Sequence, residues 1–416
     1  MTRIKALFTS FFDLNNTFFR CIILLVKLKF VFLRRKTNIF VSKFELFMKT
    51  PFWIWQYEGW PRFCWSNDNV IGPLARVREK QGRLLGLMDS LGFDTQSISS
   101  LEVMTEDVLR NNEIEGLLLN PNHVRSSVAR HLGLDTAGLP MPDHYTEGVV
   151  QVMLDAVQNA NEPLTEERLF NWHAALFPMG RSGITPITVA AWRQGAEPMQ
   201  VVSGAMGKEK VHYEAPPSED VPRQMQLFLD WFNSESTTDP VLKAAVAHLW
   251  FVNIHPFEDG NGRLTRTITD MLLARAEGSS QRFYSMSAAI LRDRKNYYEV
   301  LEYMGKHGLD ITQWLLWFLK TMENAINTAV EKTQRVVRKS LFWQEKHNIA
   351  LNERQIKVIN RLWDGFEGKL NTSKWAKMTK TSTATALRDI QDLVEKGILR
   401  RTEEGGRSTN YELVEN

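Results

Sequence analysis

The stretch that decides the fold reads HPFEDGNGRLTR and covers residues 255–266. Apolar residues at helical spacing precede this stretch, from Val241 to Val252, and follow it, from Leu264 to Leu272. The sequence therefore predicts two buried helices joined by one loop, from His255 to Arg263.

The glycines and arginines of this loop suit the binding of a phosphate group. Gly260 and Gly262 let the backbone turn tightly and approach a ligand closely. The free N–H groups at the start of the following helix favour an anion. Arg263 and Arg266 lie three residues apart on one helix surface, where both guanidinium groups can bind phosphate oxygens.

Two further residues of the loop bring acid–base and metal chemistry. His255 can act as a general base, and Asp259 is an oxygen ligand suited to Mg²⁺. Taken singly, these residues have ordinary structural explanations, such as a core histidine, a glycine turn, surface arginines or a helix cap. Taken together, they predict transfer of a phosphoryl or nucleotidyl group to a hydroxyl.

The whole string resembles the signature of the Fic-domain family, His-Pro-Phe-x-Asp/Glu-Gly-Asn-Gly-Arg-x-x-Arg. The resemblance covers roughly residues 100–320 and implies a mainly α-helical core with a β-hairpin flap. Most Fic enzymes transfer AMP from ATP to a Ser, Thr or Tyr hydroxyl of a protein and release pyrophosphate. The resemblance thus implies ATP as substrate, Mg²⁺ as cofactor and a protein partner.

The same resemblance implies roles for individual residues. His255 would take the proton from the target hydroxyl, Asp259 would bind Mg²⁺, and Asn261 would also contribute its side chain to the phosphate site. Phe257 would be a core anchor. ATP binding is implied for Asp259, Gly260, Asn261, Gly262, Arg263, Leu264, Thr265, Arg266, Val201, Val202, Ser203, Gly204 and Tyr297. Some relatives carry an Asn eight residues after this Tyr, where this chain has Gly305.

The flap is also predicted from the local sequence. Residues 199–204 and 210–213 are rich in β-branched residues and flank a turn that contains glycine, as in a β-hairpin. By resemblance, this hairpin would register a target peptide through strand addition.

An inhibitory helix is the second implication of the resemblance. Asn111-Asn112-Glu113-Ile114-Glu115-Gly116 is similar to the family's inhibitory motif, with Asn111 at the Ser/Thr position. Glu115 would pair with Arg266 and block the γ-phosphate site. We expect this helix at about 105–119, opened by Thr105-Glu106-Asp107 and closed before Asn120-Pro121. The alternative to an inhibitory role is that Glu115 is an ordinary solvent-exposed residue of this helix.

The first 47 residues differ from the rest of the chain in charge and composition. The chain has 416 residues and a net charge of +3, yet residues 1–47 carry +7, so the remainder carries −4. Residues 1–47 form a basic, apolar extension whose longest apolar run has six residues, too short for a membrane span of about 20. They are read either as a basic amphipathic helix or as a mis-assigned start before Met48. Two cysteines exclude a disulfide framework.

The remaining segments predict further units. Residues 48–95 form a Trp-rich cap whose four tryptophans (Trp53, Trp55, Trp60 and Trp65) favour packing over partner docking. Residues 96–345 form the Fic domain. Residues 351–416 read as a winged helix-turn-helix domain, whose predicted recognition helix at 382–396 carries Asp389, Asp392 and Glu395. The negative charge of these acids would repel DNA phosphates. Both DNA binding and protein docking therefore remain candidate functions of this domain.

The sequence thus favours a cytoplasmic, auto-inhibited protein adenylyltransferase that modifies other proteins or itself. A DNA-binding regulator with a Fic sensor is the first alternative. A Fic enzyme that removes AMP or transfers another phosphate-containing group is the second. A homodimer is expected by resemblance only.

Overall fold

The computed structural model describes residues 52–136, 138–204, 207–363, 365–366, 368–402 and 409–414. The predicted extension at 1–47 lies outside these residues. The helices are α1 Asn67–Asp89, α2 Phe93–Ile114, α3 Pro121–His131, α4 His144–Gln158, α5 Glu166–Leu176, α6 Val221–Asn233, α7 Pro240–Ile254, α8 Asn261–Glu277, α9 Met286–Arg292, α10 Arg294–Met304, α11 Thr312–Glu345, α12 Glu353–Trp363, α13 Thr372–Thr379 and α14 Thr383–Glu395. The strands are β1 Arg181–Ser182, β2 Thr185–Pro186, β3 Gln200–Ser203, β4 Lys210–Glu214, β5 Leu370–Asn371, β6 Leu399–Arg401 and β7 Asn410–Leu413.

The predicted helix pair lies at the centre of the main core. α7 buries 13 of its 15 residues and α8 buries 13 of its 17, so other helices cover both on nearly all sides. The loop between them is therefore held at both ends by rigid, packed elements. The mainly α-helical fold is confirmed, and helix α8 begins at Asn261, two residues before the predicted end of the loop.

The helix predicted at about 105–119 differs from α2, which spans Phe93–Ile114. The acids read as its first turn lie in the middle of the helix, and Asp107 instead accepts hydrogen bonds from the Ser285 hydroxyl and, at 3.1 Å, from the Ser287 N–H. Asp107 thus caps the start of α9 rather than that of its own helix. The helix ends where Gly116 adopts a φ of +81°.

The Trp-rich segment packs as predicted. The Trp53 ring is buried, with its centroid 5.5 Å from that of Tyr213 on β4. The Trp55 indole N–H donates to the Glu214 carbonyl at 2.8 Å. Trp60 lies edge-on to Trp250 of α7, at 6.5 Å between ring centroids. This segment therefore links the base of the β3–β4 hairpin to the helical core.

The C-terminal unit has the helix-helix-helix-hairpin order that the sequence predicts. Strands β5, β7 and β6 form one antiparallel sheet in that order, and the helices of this unit surround a core of their own. The expectation that Asp389 is exposed is wrong: it is buried, and the guanidinium of Arg354 donates to both of its oxygens, at 2.7 and 2.8 Å. Asp392 stays partly exposed and accepts hydrogen bonds from the Gln355 amide and from Lys396.

Within the described residues, none of the helices has the length and apolar character needed to cross a membrane.

Candidate active site

Two residues in left-handed backbone conformation bracket the loop between α7 and α8. His255 ends α7 with φ +52° and ψ +59°, and Gly260 precedes α8 with φ +83°. A side chain at Gly260 would place its Cβ 2.8 Å from the Phe177 ring, so glycine is required there for space as well as conformation. A non-glycine residue held at positive φ is a strained position of the kind found at functional sites.

Arg193, which the sequence analysis missed, binds backbone carbonyl groups of the loop between α7 and α8. Its side chain is buried, and its Nε–H donates to the His255 carbonyl at 2.7 Å. The same guanidinium donates to the Pro216 carbonyl, and the Arg193 N–H donates to the Pro256 carbonyl at 2.8 Å. A buried cation that binds carbonyl groups on both segments ties the loop to the end of the flap.

The imidazole of His255 is set up as a proton acceptor. Its Nδ1 lies 3.1 Å from the Val252 carbonyl, which can only accept, so Nδ1 carries the proton and Nε2 keeps its lone pair. Burial lowers the pKa of His255 to about 4, although the bond to Val252 opposes this shift. The ring is therefore neutral near pH 7 and able to take a proton.

Asp259 is a partly exposed acid of the loop. Its carboxylate accepts hydrogen bonds from the Ser182 hydroxyl and the Gly260 N–H, and lies 3.9 Å from the guanidinium of Arg263. Its carbonyl accepts from Nε2 of His173 at 3.1 Å. His173, also missed by the sequence analysis, stacks on Phe257 at 4.2 Å between ring centroids. It therefore contacts the loop at both Phe257 and Asp259.

The two arginines of the loop are buried and only partly paired. Arg263 donates to the Tyr145 hydroxyl at 2.9 Å and lies over the Phe177 ring. Arg263 Nε and Arg266 Nη1 have no hydrogen-bond partner within the described part of the chain. Buried guanidinium N–H groups without a partner are costly, so these atoms point to an anionic ligand.

The end of α2 reaches this site and occupies part of it. The Glu115 carboxylate lies 2.7 Å from Arg266 Nη2. Asn111 accepts from Arg266 Nε at 2.6 Å and, through its carbonyl, from Nη2 at 2.9 Å. A Cβ built on Gly262 would lie 2.2 Å from Glu115 Oε1, so the carboxylate rests directly on the first turn of α8.

Two residues of α10 fix the end of α2 in this position. Arg294 Nε donates to the Ile114 carbonyl at 2.8 Å, and the Tyr298 hydroxyl donates to the same carbonyl at 3.4 Å. Both satisfy a carbonyl that the helix terminus leaves open. The position of Glu115 is thus set by packing and not by its own side chain alone.

The predicted β-hairpin is confirmed as the antiparallel pair β3–β4, with Val201 opposite Tyr213 and a register shift before Val202. Val201, Val202, Ser203 and Gly204 are all exposed. The Tyr213 hydroxyl donates to the Asn253 carbonyl at 2.6 Å, which anchors the flap two residues before His255.

Four predicted ATP-binding side chains are engaged elsewhere. The Leu264 and Thr265 side chains are buried among the helices, and the Asn261 amide bonds to both backbone groups of Phe257, at 2.8 and 2.9 Å. Tyr297 is buried in the core, where its hydroxyl lies 2.9 Å from His248. These four side chains are therefore not available to a nucleotide at the start of α8.

The contacts around Gly305 explain why this position has no side chain. A Cβ at this position would lie 2.9 Å from the Tyr213 ring, and the Gly305 carbonyl accepts from the Ile54 N–H at 2.7 Å. The flap anchor therefore fills the space that a larger residue would need.

A magnesium ion fits this site in company with phosphates. Within the described residues there is no group of three or more His, Cys, Asp or Glu side chains that could hold a metal alone. Asp259 provides one exposed carboxylate next to a hydroxyl, and Mg²⁺ usually binds one or two carboxylates together with substrate phosphates.

Comparison with known proteins assigns the three parts of the chain. Residues 163–273 match the model of the Fic/DOC family. Residues 53–134 match a domain of unknown function, DUF4172, and residues 354–411 match a DeoR-like helix-turn-helix domain. The chain therefore contains a Fic/DOC domain and a C-terminal DeoR-like helix-turn-helix domain.

Curated relatives and solved structures resemble the chain as follows. A protein adenylyltransferase, fic-1, from Caenorhabditis elegans is 32% identical over 126 residues, which are 27% of this chain and 24% of that protein. The protein adenylyltransferase Fic of Nematostella vectensis is 34% identical over 122 residues, 28% of this chain and 26% of that one. The chain thus spans about a quarter of the length of these relatives. A Fic family protein from Desulfovibrio desulfuricans G20 matches at a TM-score of 0.48 and 19% identity, over 86% of this chain and 99% of that one.

Proposed function

We propose that this chain is an auto-inhibited protein adenylyltransferase that transfers AMP from ATP to a Ser, Thr or Tyr hydroxyl of a protein. The observation that carries the proposal is a neutral His255, with Nε2 free to accept, at the start of the loop that leads into a helix with two buried, incompletely paired arginines. The relatives named as adenylyltransferases support the nucleotide and the reaction class.

The chemistry follows from these groups. Nε2 of His255 takes the proton from the target hydroxyl, whose oxygen attacks the α-phosphorus of ATP. A new O–P bond forms, the bond to the bridging oxygen breaks, and pyrophosphate leaves. Backbone N–H groups at residues 260–262 and the guanidinium groups of Arg263 and Arg266 would bind the phosphates. Asp259 would hold Mg²⁺, which would offset phosphate charge.

The contact between Glu115 and Arg266 supports inhibition by competition. The carboxylate bonds to Nη2 of Arg266 and lies over Gly262, where the outer phosphates of ATP would bind. A carboxylate and a phosphate are both anions and cannot share this position. The inhibited state therefore binds ATP weakly or in an unproductive pose.

One experiment tests the reaction and the inhibition together. The full chain as wild type, Glu115→Gly and His255→Ala is incubated with Mg²⁺, ATP labelled at the α-phosphate, and a cell lysate as acceptor. We expect strong labelling of lysate proteins by Glu115→Gly, weak labelling by wild type and none by His255→Ala. Absence of label in all three forms would contradict the proposal and favour another donor or AMP removal.

DNA binding by the C-terminal domain is a second candidate function. The burial of Asp389 against Arg354 removes one acid from the face of α14 that would enter a groove. The exposed residues of α14 are Thr383, Ala384, Leu387, Arg388, Gln391 and Glu395. Duplex binding by the full chain should weaken as salt increases and fall with Arg388→Ala, while Lys320→Ala on α11 serves as the control. Equal binding by both variants would contradict this function.

A further inference from the structure

The short hairpin β1–β2 lies against the acidic residues of the loop between α7 and α8, and the proposed reaction gives this hairpin no part. Ser182 pairs with Thr185 across the two strands, and the Ile187 N–H donates to the Gly180 carbonyl at 3.1 Å. The Ser182 hydroxyl donates to Oδ2 of Asp259, since a carboxylate can only accept. The hairpin thus brings to this carboxylate a hydroxyl from 77 positions earlier in the sequence.

The segment that follows the hairpin is held to the same loop by two further contacts. The Thr188 N–H and hydroxyl donate to the two carboxylate oxygens of Glu258, at 3.1 and 2.7 Å. The Ala190 N–H donates to Nδ1 of His173 at 3.2 Å, so in the neutral ring Nε2 carries the proton and donates to the Asp259 carbonyl at 3.1 Å. The hairpin and this segment therefore hold the Asp259 side chain directly and its backbone through His173.

The Asp259 carboxylate needs such a partner because packing does not hold it in one orientation. Its side chain is 43% exposed, and its contacts with the Gly260 N–H and, at 3.9 Å, with Arg263 come from the loop and from α8. An exposed carboxylate loses rotational freedom when it binds a metal ion, and a hydrogen bond that already fixes its plane lowers this entropy cost. Hydrogen-bond partners of metal ligands commonly have this orienting role.

We propose that Ser182 is a positioning residue for the metal site: its hydroxyl fixes the carboxylate of Asp259 in the orientation that binds Mg²⁺ beside the phosphates of ATP. This inference rests on the proposed function, because the phosphates share the ion with Asp259. Ser182 acts through Asp259 and takes no part in proton transfer. Loss of its hydroxyl therefore weakens binding of the metal ion and leaves binding of the nucleotide itself unchanged.

The test measures metal binding without any transfer of AMP. Full-length Glu115→Gly is mixed with an ATP analogue whose α–β bridge is an uncleavable methylene group and with Mn²⁺, which prefers the same oxygen ligands as Mg²⁺. Electron paramagnetic resonance measures the free Mn²⁺. We expect Ser182→Ala in the Glu115→Gly background to weaken Mn²⁺ binding about 10- to 100-fold. Ser182→Thr keeps the hydroxyl and should restore most of the affinity.

Thr188→Val is the matched control in the same background. It removes a hydroxyl of the neighbouring segment that donates to Glu258 and not to Asp259. Binding of the analogue in EDTA is also measured for each variant, because a distorted site lowers this affinity, whereas a change confined to the metal ion does not. Equal loss of Mn²⁺ affinity in Ser182→Ala and Thr188→Val, or an equal loss of analogue affinity in EDTA, overturns the inference.

The failure of this inference differs from the failure of the proposed function. If Glu115→Gly binds the analogue with Mn²⁺ and Ser182→Ala binds both equally well, Ser182 has no positioning role and the proposed function is unaffected. If Glu115→Gly does not bind the analogue, with or without Mn²⁺, the proposed function and the inference have both failed. In AMP transfer, Ser182→Ala should raise the Mg²⁺ concentration needed for half-maximal rate, while the rate at saturating Mg²⁺ stays close to that of Glu115→Gly.

Discussion

Glu115 Oε1 lies 2.7 Å from Arg266 Nη2, across 151 positions of sequence, and rests against the first turn of α8 at Gly262. Arg266 is almost wholly buried, whereas the Glu115 side chain is one-third exposed. The arginine is thus a fixed part of the site, and the glutamate is the partner that can be displaced.

Replacement of Glu115 by Gly should raise AMP transfer. A charge-assisted bond of this kind contributes about 1.5–3 kcal/mol, which corresponds to about a 10- to 150-fold change in occupancy. The rate of labelling with α-phosphate-labelled ATP measures the effect. Glu113→Gly is the matched control, since Glu113 pairs with Arg110 on the same helix and does not contact Arg266. Equal activation by both variants would show that loosening of α2, and not loss of the carboxylate, is responsible.

Asn111→Ala should activate the enzyme less than Glu115→Gly and should also destabilise it. Removal of the Asn111 side chain leaves Nε of the buried Arg266 without its partner, at a cost of about 1–3 kcal/mol. Asn111→Ser keeps an acceptor oxygen and should retain more inhibition. Urea denaturation and the labelling rate test both statements. Unchanged stability in Asn111→Ala would contradict the role given to this contact.

Gly262→Ala should reduce ATP binding even where the inhibitory glutamate is absent. The new Cβ would lie over the first turn of α8, 3.2 Å from Arg266 Nη1, in the space assigned to phosphate. Binding of ATP to Glu115→Gly and to the Glu115→Gly, Gly262→Ala double variant can be compared by calorimetry. Equal affinities would mean that the phosphates bind elsewhere.

The free energy of unfolding should fall as pH is lowered from about 6.5 to 4. Burial lowers the pKa of His173 and of His255 to about 4 and that of His248 to about 3. The unfolded chain therefore binds protons in this window that the folded chain does not, which favours unfolding. Urea denaturation at pH 7 and pH 5 measures the fall.

His248→Gln is the control for this pH dependence. The variant removes one of the three buried imidazoles, so its stability should change less between the two pH values, although it is lower at both. A steeper dependence in the variant would contradict the assignment.

The loop, the flap and the helix-turn-helix were predictable because each depends on local pattern. Glycines, β-branched residues and helical spacing of apolar residues act over a few positions. Arg193 and His173 were missed because they bind the loop from positions 62 and 86 residues away, with no motif around them. The start of α2 was misplaced because Asp107, an acid of the kind that opens a helix, serves another helix.

The Glu115–Arg266 contact joins two modules that are separate in sequence. Glu115 lies in residues 53–134 and Arg266 in residues 163–273. Under the proposed function, inhibition and catalysis are encoded in different segments, and a chimera that receives a foreign N-terminal module would change in basal activity while keeping its chemistry. The module of unknown function is, in this sense, the part of the chain through which regulation could be re-engineered.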